Sequence, residues 1–267
     1  MALVSKRHTS TLSAMVKTMN NETEVGDVPN VAWEEKLFAG IAKLMLCLAV
    51  AKNALSNDET IVAAINKAAK YTVFEPTPRQ MESLKVYQNN EHHMEGWLYN
   101  HYILMLYALR HFGRSLPESA YRTLELSIFW SDLGKLDTKK DSPKKVWEDG
   151  TPQSTTFGHD KKSAEMHEEA HPEARMVNYL VAEHMNAHNT EEQFEKVKKL
   201  AGYEWLNPQL NDLLNSDGLM PEWDTIAWPH GKNLSKKQYA WVCRAHNPLL
   251  YIKQQCDDAG RISELAF

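Results

Sequence analysis

Histidine and aspartate recur in this chain at positions where a helix would ordinarily place an apolar residue. Leu98, Tyr102, Met105, Leu109 and Phe112 follow one another at spacings of three and four, the stripe that a helix turns toward a core. His101 lies three after Leu98 and four before Met105. The Leu124–Ile128 line is continued at the same spacing by Asp132. Val177, Leu180 and Val181 are extended by His184 and His188, and Leu210, Leu213 and Leu214 by Asp217. Taken singly, an inward histidine is more readily a hydrogen-bonded core residue than a ligand. Two inward aspartates are harder to satisfy, because an unpaired buried carboxylate costs several kcal/mol and no Lys or Arg shares their stripes. One or two divalent cations would satisfy all of these groups together. The mixture of imidazole nitrogen and carboxylate oxygen suits Mn, Co, Ni, Fe or Zn better than Mg alone. Such an ion lowers the pKa of water and clamps a phosphoryl oxygen.

Positioning these residues requires helices. Spacings of three and four dominate and alternating β-branched runs are missing, so the chain reads as all-α. Residues 1–30, polar and containing Gly26 and Pro29, are expected to form a flexible N-terminus. Residues 31–80 read as a helical extension, with a second helix starting at Asn57 or Asp58 and a break at Pro76 and Pro78. Residues 81–220 carry the chemistry, and 221–267 are expected to be a C-terminal helical segment packing on the core. The stretch 140–156, with Ser142, Pro143, Gly150 and Pro152, reads as a loop able to act as a lid. Trp147 within it is expected to anchor that loop rather than stack on a base. His92, His111, His167 and His171 lie off the stripes and are expected to be exposed.

The motifs in their order resemble the HD phosphohydrolase superfamily, most nearly the HD domain of bacterial tRNA nucleotidyltransferases and its stand-alone relatives. The resemblance runs through His93-Met94-Glu95-Gly96 and on to His101, then Asp132-Leu133-Gly134-Lys135-Leu136-Asp137-Thr138. It continues through Phe157-Gly158-His159-Asp160, Glu183-His184-Met185 and Leu213 to Leu219 with Asp217. It covers roughly residues 90–220 and implies an HD-domain helical bundle with helical N- and C-terminal extensions. It also implies metal ligands at His101, Asp132, His159, His184 and Asp217. Lys135 would stand beside the metal against the phosphoryl oxygens, and His188, one turn beyond His184, would donate a proton to the leaving oxygen. One position departs from the pattern: the histidine of the His-Asp pair is Ser131, which removes a ligand expected for one metal. The nucleotidyltransferase half has no counterpart before residue 90. What carries over is a metal-dependent phosphohydrolase acting on phosphomonoesters or 2′,3′-cyclic phosphates of nucleotides or RNA ends. The alternatives are a decayed HD domain serving as a nucleotide- or RNA-binding module, and a hydrolase of a signalling nucleotide such as an alarmone or cyclic oligonucleotide.

Charge around the motifs suits such a substrate. Lys135, Lys139, Lys140, Lys144, Lys145, Lys161 and Lys162 cluster between Asp132 and the segment after His159, and lysine is a point-charge contact for phosphate. Lys161 and Lys162 join Lys135 as expected substrate contacts, while Lys139 to Lys145 read as a solvated face. The whole chain, by contrast, is mildly acidic, with 30 basic and 35 acidic residues among 267 and a net charge of −5, so no chain-wide basic character draws it to nucleic acid. Cys47, Cys243 and Cys256 form no disulfide framework or metal knuckle. The apolar stretch from Leu37 to Ala51 falls short of the ~20 residues that cross a membrane. A cytoplasmic protein without membrane association is the expectation, and a homo-oligomer is compatible with it.

Overall fold

The computed structural model describes residues 55–200, 203, 206 and 220–262. The calls on residues 1–30 and on Asp217 lie outside the described residues. The described chain is helical apart from one small antiparallel hairpin, in agreement with the all-α reading. Helix α1 (Asp58–Ala68) starts at Asn57, whose side chain accepts the Thr60 amide at 2.8 Å, and buries Ile61 and Ile65. Helix α2 (Pro78–Leu84) opens with a reciprocal cap between Thr77 and Gln80. This is the arrangement in which the helix ends that lack internal partners are satisfied.

Helix α3 (Leu98–Phe112) is the central element. Leu98, Tyr102, Met105 and Leu109 are fully buried along it, and so is His101. Helix α4 (Glu118–Ser131) packs against α3, and the short α5 (Lys135–Thr138) follows. Helices α6 (His159–Ala170) and α7 (Arg175–Ala187) pair with each other, and α7 also lies on α4. After α8 (Thr190–Val197), the chain returns through α9 (Lys236–Ala245) and α10 (Pro248–Gly260). The last helix runs along α3 with Leu250 and Cys256 in the main core cluster. Part of the segment that reads as a C-terminal extension is therefore a wall of the central bundle. A second apolar cluster joins Val197, Leu234, Tyr239 and Val242, and it is here, rather than on the main core, that Trp223, Trp228 and Trp241 pack. No helix among the described residues is long and apolar enough to cross a membrane.

The stretch 140–156 departs from the loop expectation. It forms strands β1 (Lys140–Val146) and β2 (Pro152–Thr155), paired antiparallel with an irregularity between Asp141 and Val146. Sequence alternation misses such a hairpin because β1 is almost wholly exposed, so backbone pairing rather than side-chain burial defines it. Trp147 does anchor the connection, donating its indole hydrogen to Asn89 at 2.9 Å. His167 also departs from expectation: it is buried, edge-on to Trp130 at 5.2 Å.

Candidate metal centre

Asp132 is positioned from two sides. Helix α4 ends at Ser131, and the amide of Asp132 then donates to the Tyr102 hydroxyl of α3 at 3.2 Å. Two residues on, the Gly134 amide donates to Ser163 Oγ of α6 at 2.9 Å. At Gly134 a β-carbon would meet the His159 carbonyl oxygen at 2.5 Å and the Ser163 amide nitrogen at 2.9 Å. Only glycine lets the Asp132 turn lie this close to the helix that carries His159. Gly134→Ala is therefore expected to cost about 1–3 kcal/mol by forcing backbone apart, read as a lower midpoint in denaturant unfolding. An unchanged midpoint would mean that the approach is not under constraint.

Two imidazole nitrogens converge on one oxygen of Asp132. His159 Nε2 lies 3.0 Å from Asp132 Oδ1, His184 Nε2 lies 3.7 Å from the same oxygen, and the two Nε2 atoms are 3.3 Å apart. Each histidine donates Nδ1–H to a backbone carbonyl at 2.7 Å, His159 to Thr156 and His184 to Val181. A ring whose Nδ1 is committed in this way presents a lone pair at Nε2. Burial reinforces that state at His184, pushing its pKa down to about 3.

The second oxygen of Asp132 faces another set. His101 Nε2 is 3.6 Å from Asp132 Oδ2 and 3.0 Å from Asp257 Oδ1, while its Nδ1 lies 3.0 Å from the Gly260 carbonyl and 3.2 Å from Glu95 Oε1. Asp132 Oδ2 is sealed from solvent and has no hydrogen-bond partner among the described residues. A buried carboxylate oxygen without a partner is costly, and with its shared neighbours it fits a divalent cation. Both ligand sets, Asp132 with His159 and His184, and Asp132 with His101 and Asp257, have their donor atoms within 4.8 Å of one another.

Charge keeps these carboxylates ionised. Burial opposes ionisation of Asp132, but Lys135, His159 and His101 outweigh it and hold the carboxyl well below its usual range. Asp257 is held low against burial by Arg261, His101 and His188. Glu95, fully buried, is held low against burial by His93 and His101, and its other oxygen accepts the Ile262 amide at 3.0 Å. For His101, burial alone would lower the pKa, yet Asp257 and Glu95 lift it to about 9. Lys135 supplies the cation that the stripe pattern lacks: its Nζ sits 3.1 Å from Asp132 Oδ1 and donates to Gln88 at 2.6 Å.

Ser131 stands where the resemblance expects a histidine. Its hydroxyl donates to the Ser127 carbonyl and accepts from Lys253 Nζ, which also reaches Ser127 O at 3.4 Å. Burial lowers the Lys253 pKa, with Asp257 and Asp132 acting in the opposite direction. A serine with a lysine on its oxygen has the composition of a nucleophile pair. At 1% and 0% exposure, however, these two are closed to any substrate.

Outward from the centre lies a cleft of about 380 Å³. Asp132, His159, His184 and Asp257 line it, together with Lys135, Lys144, Lys145 and Arg261. Lysines of the hairpin thus border the cleft, although the sequence pattern reads them as a solvated face. Lys161 and Lys162 do not: Lys161 is exposed, and Lys162 pairs with Glu165 at 3.1 Å along α6. The reason is helical phase, since α6 turns His159 and Ser163 inward and the residues between them outward. His188 sits beside Asp257 at 3.2 Å and Asp258 at 3.4 Å rather than in either Asp132 set.

Asp257, Glu95, Arg261 and Lys253 are the site residues that the sequence pattern does not single out. A signal for Asp257 exists, because Leu250, Lys253, Asp257 and Gly260 recur at spacings of three and four. Its contrast is poor, with a lysine in the stripe and Asp258 beside it. Comparison of the chain with protein-family models, curated proteins and solved structures gives no match.

Proposed function

We propose that this protein is a metal-dependent phosphohydrolase of the HD type, acting on phosphomonoesters or 2′,3′-cyclic phosphates of nucleotides or RNA ends. The observation that carries the reading is Asp132, with one oxygen toward His159 and His184 and the other, unpartnered, toward His101 and Asp257. A bound divalent ion would supply Lewis acidity and acidify water at this position. Lys135, tethered by Gln88 at the cleft wall, offsets charge that develops on the phosphoryl oxygens. Lys144 adds positive charge at the cleft that draws an anionic substrate, whereas Lys145 pairs with Glu91 and Arg261 with Asp257. His188, expected as the proton donor, does not line the cleft and has its Nε2 held between Asp257 and Arg261.

A binding module with a decayed centre is the second reading. It is favoured by Ser131, whose hydroxyl is already engaged by Ser127 and Lys253. Elemental analysis of the purified protein separates the two readings when paired with hydrolysis of p-nitrophenyl phosphate and 2′,3′-cyclic nucleotides across Mg, Mn, Co, Ni and Zn. The enzyme reading expects stoichiometric transition metal and turnover that depends on it. A folded helical protein with neither metal nor turnover sinks that reading and leaves the module.

A further inference from the structure

We infer that Gln88, Gln153 and Ser154 form a subsite that hydrogen-bonds the hydroxyl groups of a sugar carried on the substrate phosphate. The inference rests on the phosphohydrolase reading above and deepens it by naming the chemistry beside the phosphate and the residues that read it.

Gln153 and Ser154 of β2 line the cleft. They are 5% and 7% exposed, and Gln88 is 3% exposed. Each has a side-chain polar atom that is sealed from solvent and has no hydrogen-bond partner among the described residues: Gln153 Oε1, Ser154 Oγ and Gln88 Nε2. Buried polar groups are nearly always paired, and an exception calls for a ligand or a trapped water. These three exceptions lie on neighbouring stretches of chain. The Ser154 amide donates to the Asn89 carbonyl at 2.6 Å, and the Asn89 side chain donates to the Pro152 carbonyl at 3.0 Å. Residues 88 and 89 therefore run beside β2.

Gln88 ties this group to the metal centre. Its Oε1 accepts Lys135 Nζ at 2.6 Å, and the same Nζ stands 3.1 Å from Asp132 Oδ1. With its oxygen committed to the lysine, the Gln88 amide is left with its hydrogens to donate. One ammonium separates it from the central carboxylate, so the substrate atoms that reach it are those bonded close to the phosphate, not a base farther out.

The unpartnered atoms are uncharged and of both kinds. A carboxylate or phosphate has no hydrogen to give Gln153 Oε1, and an ammonium has no acceptor for the Gln88 hydrogens. An alcohol hydroxyl donates and accepts, and so can pair with all three. Hydroxyls on carbons near a phosphate ester are those of a sugar phosphate.

The test compares ribose 5-phosphate with tetrahydrofurfuryl phosphate, which share the five-membered ring and differ in its hydroxyls. On the metal-loaded full chain, kcat/KM should favour ribose 5-phosphate by roughly 10- to 100-fold, the penalty for leaving a buried polar group unpaired. Within each of Ser154→Ala and Gln153→Leu the ratio should fall toward one. A general loss of stability or activity would leave that ratio unmoved, because both esters share it. A wild-type ratio near one, with both esters turned over, would mean that water satisfies these groups; it overturns the inference and leaves the hydrolase standing. So would a ratio that keeps its wild-type value in both variants. If Gln153→Leu fails to fold, Ser154→Ala, which deletes a single oxygen, carries the comparison. Calorimetric titration of the two esters separates this inference from the hydrolase reading. Tighter binding of ribose 5-phosphate without turnover of either ester, with the preference lost in the variants, would retain the subsite and remove the hydrolase. A chain that neither binds nor hydrolyses either ester overturns both.

Discussion

On the proposed function, Asp132→Asn should abolish metal binding and lower phosphate-ester turnover on the order of 10³-fold, the several kcal/mol that a lost metal contributes at 1.36 kcal/mol per tenfold. The substitution keeps the volume and removes only the charge. It acts on both ligand sets at once, because each depends on one oxygen of this carboxylate. It also leaves Lys135 without its anionic partner at 3.1 Å, so a lowered melting temperature should accompany the loss. Elemental analysis and turnover on the same preparation provide the check. Retained metal with unchanged turnover would show that Asp132 does not organise the centre.

The metal-free protein should be most stable near pH 6.5 and weaken on both sides. Burial pushes His184 down to about 3, and burial with Lys135 pushes His93 down to about 4. Below the ordinary histidine value of about 6.5 the unfolded chain takes up protons that the folded protein refuses, so stability falls with falling pH. Asp132, Asp257 and Glu95, all held low, add loss in the same direction once the pH reaches the ordinary carboxylate range near 4. His101 acts on the other side. With a folded pKa of about 9, its contribution is full below 6.5 and disappears as the pH rises through 9. Each histidine contributes up to about 1.4 kcal/mol per pH unit while only one state is protonated. Denaturant unfolding in chelator between about pH 5 and pH 9 reads the effect, and a curve that rises or falls throughout would contradict it. Metal should add about 2.7 kcal/mol at a hundredfold excess over Kd.

Much of this centre could be read from residue spacing, and the exceptions have physical causes. His101, Asp132 and His184 were visible because α3, α4 and α7 are strongly apolar on the inward face, so a polar residue there stands out. His159 needed the resemblance, since it opens α6 immediately after Gly158 (φ 84°) and has no preceding helical stripe to continue. The expectation at Asp217, at the end of a leucine-rich stripe, lies outside the described residues. Asp257 occupies a stripe that includes Lys253, and a lysine in a helix ordinarily signals the solvent face. The all-α fold was legible, whereas the hairpin was not, because its outer strand is held by backbone pairing and buries almost nothing.

The distances along the chain also set an order of assembly. His159 and His184 are separated by 25 positions, whereas His101 meets Asp257 across 156 and the Gly260 carbonyl across 159. Contacts of long sequence separation close late, since the loop entropy must be overcome before they form. During synthesis, Asp132, His159 and His184 have all emerged by roughly seventy residues before Asp257, several seconds at ordinary elongation rates. A nascent chain therefore carries its first triad before the helix that seals it exists. Docking of α10 then brings Asp257 to His101 and completes the buried cluster.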